Sequence, residues 1–102
     1  MNIRFFDSEL EKFIHALGPE TIAKVLRVID LLEQFGHQLA LPHSKKLAER
    51  LFELRVRGKQ EVRIFYAFHK GKAVLLHGFV KKSKRIPARE LKTALQKSKA
   101  LD

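Results

Sequence analysis

Two arginines are the side chains of this sequence that are best placed for chemistry. Arg55 and Arg63 lie in segments whose apolar and polar residues alternate, as in β-strands with one buried face. The shortest loop that keeps like faces together is Gly58–Gln60, which predicts Arg55 directly opposite Arg63. Two facing guanidinium groups repel each other by roughly 0.2–1 kcal/mol. An anion between them would relieve this repulsion, so the pair predicts a phosphate-binding site.

The same register predicts three more side chains on this arginine face. A second hairpin, with its loop around His69 to Ala73, sets Phe65 beside His77. It also sets Phe79 beside the second arginine. Exposed phenylalanines next to arginines are typical of surfaces that bind single-stranded RNA, because bases stack on the rings and phosphates bind the guanidinium groups. The alternatives are a protein interface, or a solvated face on which arginines are tolerated.

A basic cluster follows the last predicted strand and borders the arginine face. We predict that it binds phosphate; the alternative is that its charges keep a strand end soluble. Arg57, together with Lys45 and Lys46 in the preceding connection, is predicted to add to the same positive field. The members of the cluster are Lys81, Lys82, Lys84 and Arg85.

Proton transfer needs a group other than arginine, which stays protonated near neutral pH. His77 is the one histidine of five that is predicted on the arginine face, so it is a candidate for an acid–base role. The histidines have no metal-ligand spacing and there is no cysteine, so we predict no metal site and no cofactor. Glu53 and Glu61 are the only acids predicted on this face, where the simplest role is pairing with neighbouring arginines.

Composition favours a polyanionic partner. Lys and Arg total 21 against 11 acids, which gives a net charge of +10. Hydrophobic residues make up 45% of the 102, enough for the core of a single domain spanning residues 1–102. No apolar run approaches the ~20 residues of a membrane span, and the start of the chain has no signal-peptide pattern. These features predict a cytoplasmic protein without a membrane partner.

Three strands must position the candidate residues. One face of these strands is almost wholly apolar and is predicted to include Val74 and Leu76. The arginine face is predicted to stay open and to include Leu75. The three segments are Leu51–Arg57, Glu61–Phe68 and Ala73–Lys82.

Helices and an edge strand complete the predicted fold. Asn2 to Phe6 suits an edge strand. Ser8 and Glu11 have the spacing of a capping box at the start of a first helix. Gly18–Pro19 separates this helix from a second one, and both are amphipathic. The connection from His37 to Glu49 is predicted as a loop with at most one helical turn, and Pro87 can open a final helix. The prediction is an α+β fold of order β-α-α-β-β-β-α. It has a small twisted antiparallel sheet, a two-helix hairpin on one face and a C-terminal helix.

This order of elements resembles that of the RelE/ParE superfamily of bacterial toxins. Three strand motifs, Leu-Phe-Glu-Leu-Arg (51–55), Val-Arg-Ile-Phe-Tyr (62–66) and His-Gly-Phe-Val-Lys-Lys (77–82), resemble its HigB-like, phage-derived branch. Pro-His-Ser-Lys-Lys-Leu (42–47) fits the same branch. The resemblance implies an endoribonuclease toxin that cuts messenger RNA during translation on the ribosome. It also implies a cognate antitoxin, which we expect to be a HigA-like helix-turn-helix protein.

The resemblance also implies roles for individual residues. The family's basic residues around the scissile phosphate fall here on Arg55, Arg63 and Lys81 or Lys82. The implied reaction is metal-free attack of a ribose 2′-OH on the adjacent phosphate, which leaves a cyclic phosphate and a 5′-OH. The arginines would stabilise charge on the phosphate, and His77, either lysine or, less suitably, an acid such as Glu53 would move protons.

One departure from the family pattern concerns tyrosine. RelE has a tyrosine near its C-terminus at the site, whereas Tyr66, the only tyrosine here, is predicted to point to the apolar face. Phe79 and His77 are the nearest substitutes. Two other functions therefore stay open: a ParE-like gyrase inhibitor without a nuclease site, and a non-catalytic RNA-binding module.

Overall fold

The computed structural model describes residues 1–101 and has helices on both faces of a five-stranded sheet. The sheet order is β1-β5-β4-β3-β2. The elements in chain order are β1 (Asn2–Phe5), α1 (Ser8–His15), α2 (Pro19–Phe35), β2 (Ser44–Ala48), β3 (Leu51–Val56), β4 (Val62–His69), β5 (Lys72–Val80) and α3 (Ala88–Lys99). The predicted α+β class is confirmed, and the fold is consistent with a RelE-like architecture.

The predicted pairs on the arginine face are confirmed. Arg55 is paired with Arg63 across β3 and β4, and Phe65 is paired with His77 across β4 and β5. The second hairpin turns on only two residues, Lys70–Gly71, both with positive φ (51° and 76°), as a type I′ turn requires. Matching of the apolar faces therefore predicted the pairs on the arginine face, but from Tyr66 to the second turn the pairs of β4 with β5 differ by one residue from the prediction.

Two features of the sheet differ from the prediction. The connection from His37 to Glu49, predicted as a loop, contains strand β2, which pairs antiparallel with β3 and has a register shift between Lys46 and Ala48. Pairing with β3 supplies the backbone hydrogen bonds of this strand. The polar residues of the segment do not by themselves predict that pairing. In addition, β1 pairs parallel with β5, so the sheet is mixed rather than antiparallel.

A β-bulge in β5 changes which side chains face which helices. The pairing with β4 shifts between Phe65 and Tyr66, so that Leu76 is the extra residue of β5. Leu75 consequently packs with the core under α1 and α2, while Val74 and Leu76 pack under α3. The predicted faces of these three residues were wrong, because strict alternation fails on the N-terminal side of a bulge.

The arginine face is partly covered rather than open. Helix α3 packs on it and forms a second core there, which includes Phe65, Phe79 and Ala94. A salt bridge and two hydrogen bonds fix α3 in place: Lys97 Nζ lies 2.9 Å from Asp7 Oδ2 and 3.1 Å from the Leu76 carbonyl oxygen, and Glu90 Oε1 lies 3.0 Å from His77 Nε2. The cover hides the aromatic part of the face.

The helix ends follow local chemistry. Asp7, not the predicted Ser8, is the N-cap of α1, and its carboxylate accepts a hydrogen bond from the Leu10 amide at 3.4 Å. Burial alone would raise the pKa of Asp7, but the hydrogen bond and charge of Lys97, with backbone amides, outweigh it and lower the pKa. Helix α2 begins at Pro19 and ends before Gly36, as predicted.

Among residues 1–101, no helix has the length and apolar character needed to cross a membrane.

Candidate functional site

A buried charge cluster occupies the centre of the arginine face. Arg63 is 3% exposed and Glu53 is 3% exposed, whereas the Arg55 side chain is 21% exposed. Glu53 Oε1 lies 3.5 Å from Arg55 Nε, and its Oε2 lies 3.8 Å from Arg63 Nε. The prediction that Glu53 pairs with the arginines is confirmed. The repulsion between the two guanidinium groups is thus relieved inside the protein, and no external anion is required for it.

The geometry of this cluster is loose. Glu53 Oε2, Arg55 Nε and Arg63 Nε are buried and have no hydrogen-bond partner among the described residues. Their attraction is therefore Coulombic rather than that of short, directed hydrogen bonds. Buried charges held in this way are costly unless all partners stay in place. The cluster is consequently most sensitive to the loss of Glu53, which is the partner of both arginines.

A shallow basic groove opens beside the cluster at the end of the sheet where β3 turns into β4. Its volume is about 390 Å³. Arg63 Nη1 donates a hydrogen bond to Glu61 Oε2 at 3.1 Å, and the Lys81 amide donates to the Glu61 carbonyl at 2.7 Å. These contacts join the two strand ends that carry the cations. The groove is lined by Arg57, Glu61, Arg63, Lys81, Lys82, Ser83 and Lys84.

The predicted aromatic platform is not exposed. Phe65 is fully buried and Phe79 is 5% exposed, with their ring centroids 5.5 Å apart beneath α3. In this conformation neither ring can stack on a base, so the expectation of exposed phenylalanines was wrong. His77 does lie on the arginine face, with its side chain 21% exposed and bound to Glu90. That glutamate was missed, although an acid in the first turn of a helix opened by proline is a usable signal.

The remaining predicted cations divide between the two faces of the sheet. Lys45 is paired with Glu53 across β2 and β3 and therefore lies on the arginine face. Lys46 lies on the other face, with its ammonium 6.0 Å from the centroid of the Phe52 ring. Arg85 is exposed beyond the groove, where its carbonyl accepts a hydrogen bond from Ser83 Oγ at 2.9 Å. Only Lys45 of the predicted lysine pair adds its charge to the arginine face.

Tyr66 is not part of the candidate site, because it lies on the opposite face of the sheet from the arginines. It is 1% exposed on the face that packs against α1 and α2, as predicted, and its Oη lies 2.5 Å from Ser44 Oγ. Burial raises the pKa of Tyr66, and the hydrogen bond with Ser44 opposes that shift only in part.

Among residues 1–101, no three His, Cys, Asp or Glu side chains form a group that could hold a metal ion.

Comparison with protein families gives a match that covers most of the chain. A family described as "Phage derived protein Gp49-like (DUF891)" matches residues 12–99. This range contains every residue of the charge cluster and of the basic groove. No curated protein matches the chain.

Proposed function

Because the chain belongs to the phage-derived Gp49-like family, a RelE-like and toxin-related family, we propose that it is the toxin of a toxin–antitoxin pair. We propose further that it is an endoribonuclease of the HigB-like kind that cuts messenger RNA on the ribosome. Its partners would then be translated messenger RNA and a cognate antitoxin, and its place of action the cytoplasm.

The observation that carries this proposal is the meeting of the paired arginines with the basic groove. Arg63 belongs to both, because it contacts Glu53 in the cluster and lines the groove with Lys81, Lys82 and Arg57. An RNA phosphate in the groove would meet several cations and one exposed acid, Glu61, with which it would compete for Arg63. A surface of this kind suits a negatively charged, exposed ligand.

The proposed reaction is an internal transesterification. The ribose 2′-oxygen attacks phosphorus, the bond from phosphorus to the 5′-oxygen breaks, and the products carry a 2′,3′-cyclic phosphate and a 5′-OH. Arg55, Arg63 and the groove lysines would stabilise the charge that develops on the phosphate. One proton leaves the 2′-OH and one reaches the 5′-oxygen, for which His77, Lys81 and Lys82 are the candidate carriers.

His77 is the carrier best supported by its surroundings. Its Nε2 contacts the Glu90 carboxylate at 3.0 Å, an arrangement in which a carboxylate orients the imidazole and fixes its tautomer. The side chain keeps partial access to solvent on the same face as the arginines. Arginine itself is a poor base, because it stays protonated near neutral pH.

The antitoxin proposal follows from charge. We expect a HigA-like helix-turn-helix protein that places an acidic segment on the basic groove or on neighbouring helices and so blocks access of RNA. An association dominated by charge weakens steeply with salt, because exposed charges are screened within about 10 Å at 0.1 M ionic strength.

The test is cleavage of messenger RNA in a translating extract, with the new 5′-OH ends mapped by primer extension. Arg55→Ala is the decisive variant, because Glu53 keeps Arg63 as a partner and no buried charge is left alone. We expect its cleavage rate to fall by about 10²–10³-fold, the usual effect of losing one group that stabilises a transition-state anion. Arg27→Ala on α2 is the matched control, because it removes the same charge from an exposed site on the other face of the sheet.

The outcomes separate the candidate functions. Cleavage by Arg55→Ala at the parent rate would show that the proposed site is wrong. Intact messages together with an early failure of DNA supercoiling would point to a gyrase inhibitor. Retention of RNA without any cleavage on translating ribosomes would point to an RNA-binding module.

A further inference from the structure

Charge is strongly segregated between the two sides of the sheet. Residues 81–99, which lead into α3 and form it, contain eight Lys or Arg and one acid. Residues 8–35, which form α1, α2 and their connection, contain three Lys or Arg and five acids. The excess positive charge of the protein is therefore concentrated on the α3 side, which is also the side of the basic groove.

The outer face of α3 carries three exposed cations. Arg89, Lys92 and Lys99 are exposed and occupy one side of the helix at spacings of three and seven residues. Within residues 1–101 none of them forms a salt bridge. The only acid of the helix, Glu90, is turned towards the sheet and contacts His77. No negative charge of α3 interrupts this exposed face.

Helix α3 connects the basic groove to a second basic pocket at the opposite end of the sheet. The helix follows the groove in the chain and runs back along β5, and the two residues after its C-terminal end, Ala100 and Leu101, line the second pocket. This pocket has a volume of about 330 Å³, and among residues 1–101 no acid lines it. It is lined by Arg4, His69, Lys70, Lys72, Ala100 and Leu101. The twelve residues of α3 span about 18 Å between the two sites.

We propose that the outer face of α3 and the second basic pocket form one track for the phosphodiester backbone of RNA. The track consists of Arg89, Lys92, Lys99, Arg4, Lys70 and Lys72, and it extends the binding surface from the groove to the turn between β4 and β5. The part of the track on α3 is about 18 Å long, which is enough to contact several consecutive phosphates of one strand. The ligand class rests on the proposed function, in which the groove binds RNA.

The chemistry of the track makes it independent of base sequence. Its side chains are flexible cations, which bind phosphates and carry no base-specific pattern of donors and acceptors. Its role would be to hold and orient the strand, while the groove and the charge cluster act on one phosphate. Loss of the track should therefore weaken RNA binding without changing the reaction of bound RNA.

The test measures binding of a single-stranded RNA whose 2′-hydroxyls are methylated, so that it cannot be cut. A triple variant, Arg89→Gln with Lys92→Gln and Lys99→Gln, is compared with Lys12→Gln, Lys24→Gln and Arg27→Gln, which lie exposed on α1 and α2. Both change the net charge by the same amount. We expect the affinity of the track variant for this RNA to fall by about tenfold or more. The slope of log K against log salt concentration should become about 2 smaller in magnitude, because each of the three lost phosphate contacts contributes about 0.7. The control should change affinity less than about twofold.

Three results would overturn the proposal. Equal losses in both variants would mean that only net charge matters, and an unchanged affinity in the track variant would mean that RNA does not touch α3. A loss of binding to poly-glutamate with no loss of RNA binding would identify a protein-binding surface instead. Because the methylated RNA cannot be cut, this measurement is independent of whether Arg55→Ala abolishes cleavage.

Discussion

Glu53 and Arg63 form a buried ion pair in which Oε2 of the glutamate lies 3.8 Å from Nε of the arginine, and neither side chain is more than 4% exposed. The same carboxylate also contacts Arg55, which lies two residues further along β3. One acid thus allows two arginines to stand opposite each other without an external counter-ion. Stability and the proposed chemistry are joined at this carboxylate.

Glu53→Gln should destabilise the protein strongly, because it leaves the buried guanidinium group of Arg63 and the partly buried one of Arg55 without their shared anion. We expect the free energy of unfolding to fall by roughly 3 kcal/mol or more, as for other broken buried pairs. The matched control is Glu20→Gln, which removes a pair with Lys59 whose side chains are 71% and 81% exposed. Exposed pairs of this kind contribute about 0–1 kcal/mol. Denaturant unfolding measures both; equal effects would contradict the importance of the buried cluster.

Arg63→Lys separates charge from geometry. Lysine keeps the positive charge beside Glu53 but lacks the planar group with which Arg63 contacts Glu53 and Glu61 together. We expect cleavage of messenger RNA to fall by about 10²-fold or more, while the free energy of unfolding changes less than it does in Glu53→Gln. A variant with the parent's cleavage rate would show that the planar guanidinium group of Arg63 is unnecessary.

Gly78→Ala tests the close approach of α1 to β5. An added Cβ would lie 2.9 Å from both Leu10 Cδ1 and Phe13 Cε2, so these two packed side chains must move. We expect a loss of about 1–3 kcal/mol in the free energy of unfolding, the usual effect of overpacking a core. Gly18→Ala is the control, because its Cβ meets nothing within 4 Å and its φ is −66°. Thermal unfolding of the two variants side by side should show a clear loss for the first alone.

Asp7→Asn tests the contact that fastens α3 to the start of α1. The pKa of Asp7 is lowered in the folded state, so its charged form stabilises the protein at pH values above the unfolded pKa, and this stabilisation is lost as the pH falls through the folded pKa. Asparagine keeps the N-cap but not the charge. We expect the variant to be less stable than the parent at pH 6 and the difference to shrink below pH 4, in unfolding curves recorded across this range. A difference that does not depend on pH would exclude the Asp7–Lys97 charge pair as its cause.

Covering of the arginine face by α3 explains why the aromatic prediction failed. The apolar stripe of α3 is thin, and nothing in it specifies which surface it will cover. Phe65 and Phe79 lie on the polar face of their strands by alternation, yet they are the apolar patch on which the helix packs. Burial of a mixed face depends on an element distant in the chain, so the strands alone could not predict it.

The sequence by itself determined the pairing of Arg55 with Arg63 and the pairing of Phe65 with His77, because alternation and short loops leave one register in which the apolar faces agree. It also determined both helices of the hairpin, through their breaks at Gly18–Pro19 and Gly36. Only the tertiary structure decided the bulge at Leu76, the strand at Ser44–Ala48 and the burial of Arg63 with Glu53. These features arise from pairing and packing between distant segments, whose free energy is not encoded in the local pattern of either segment.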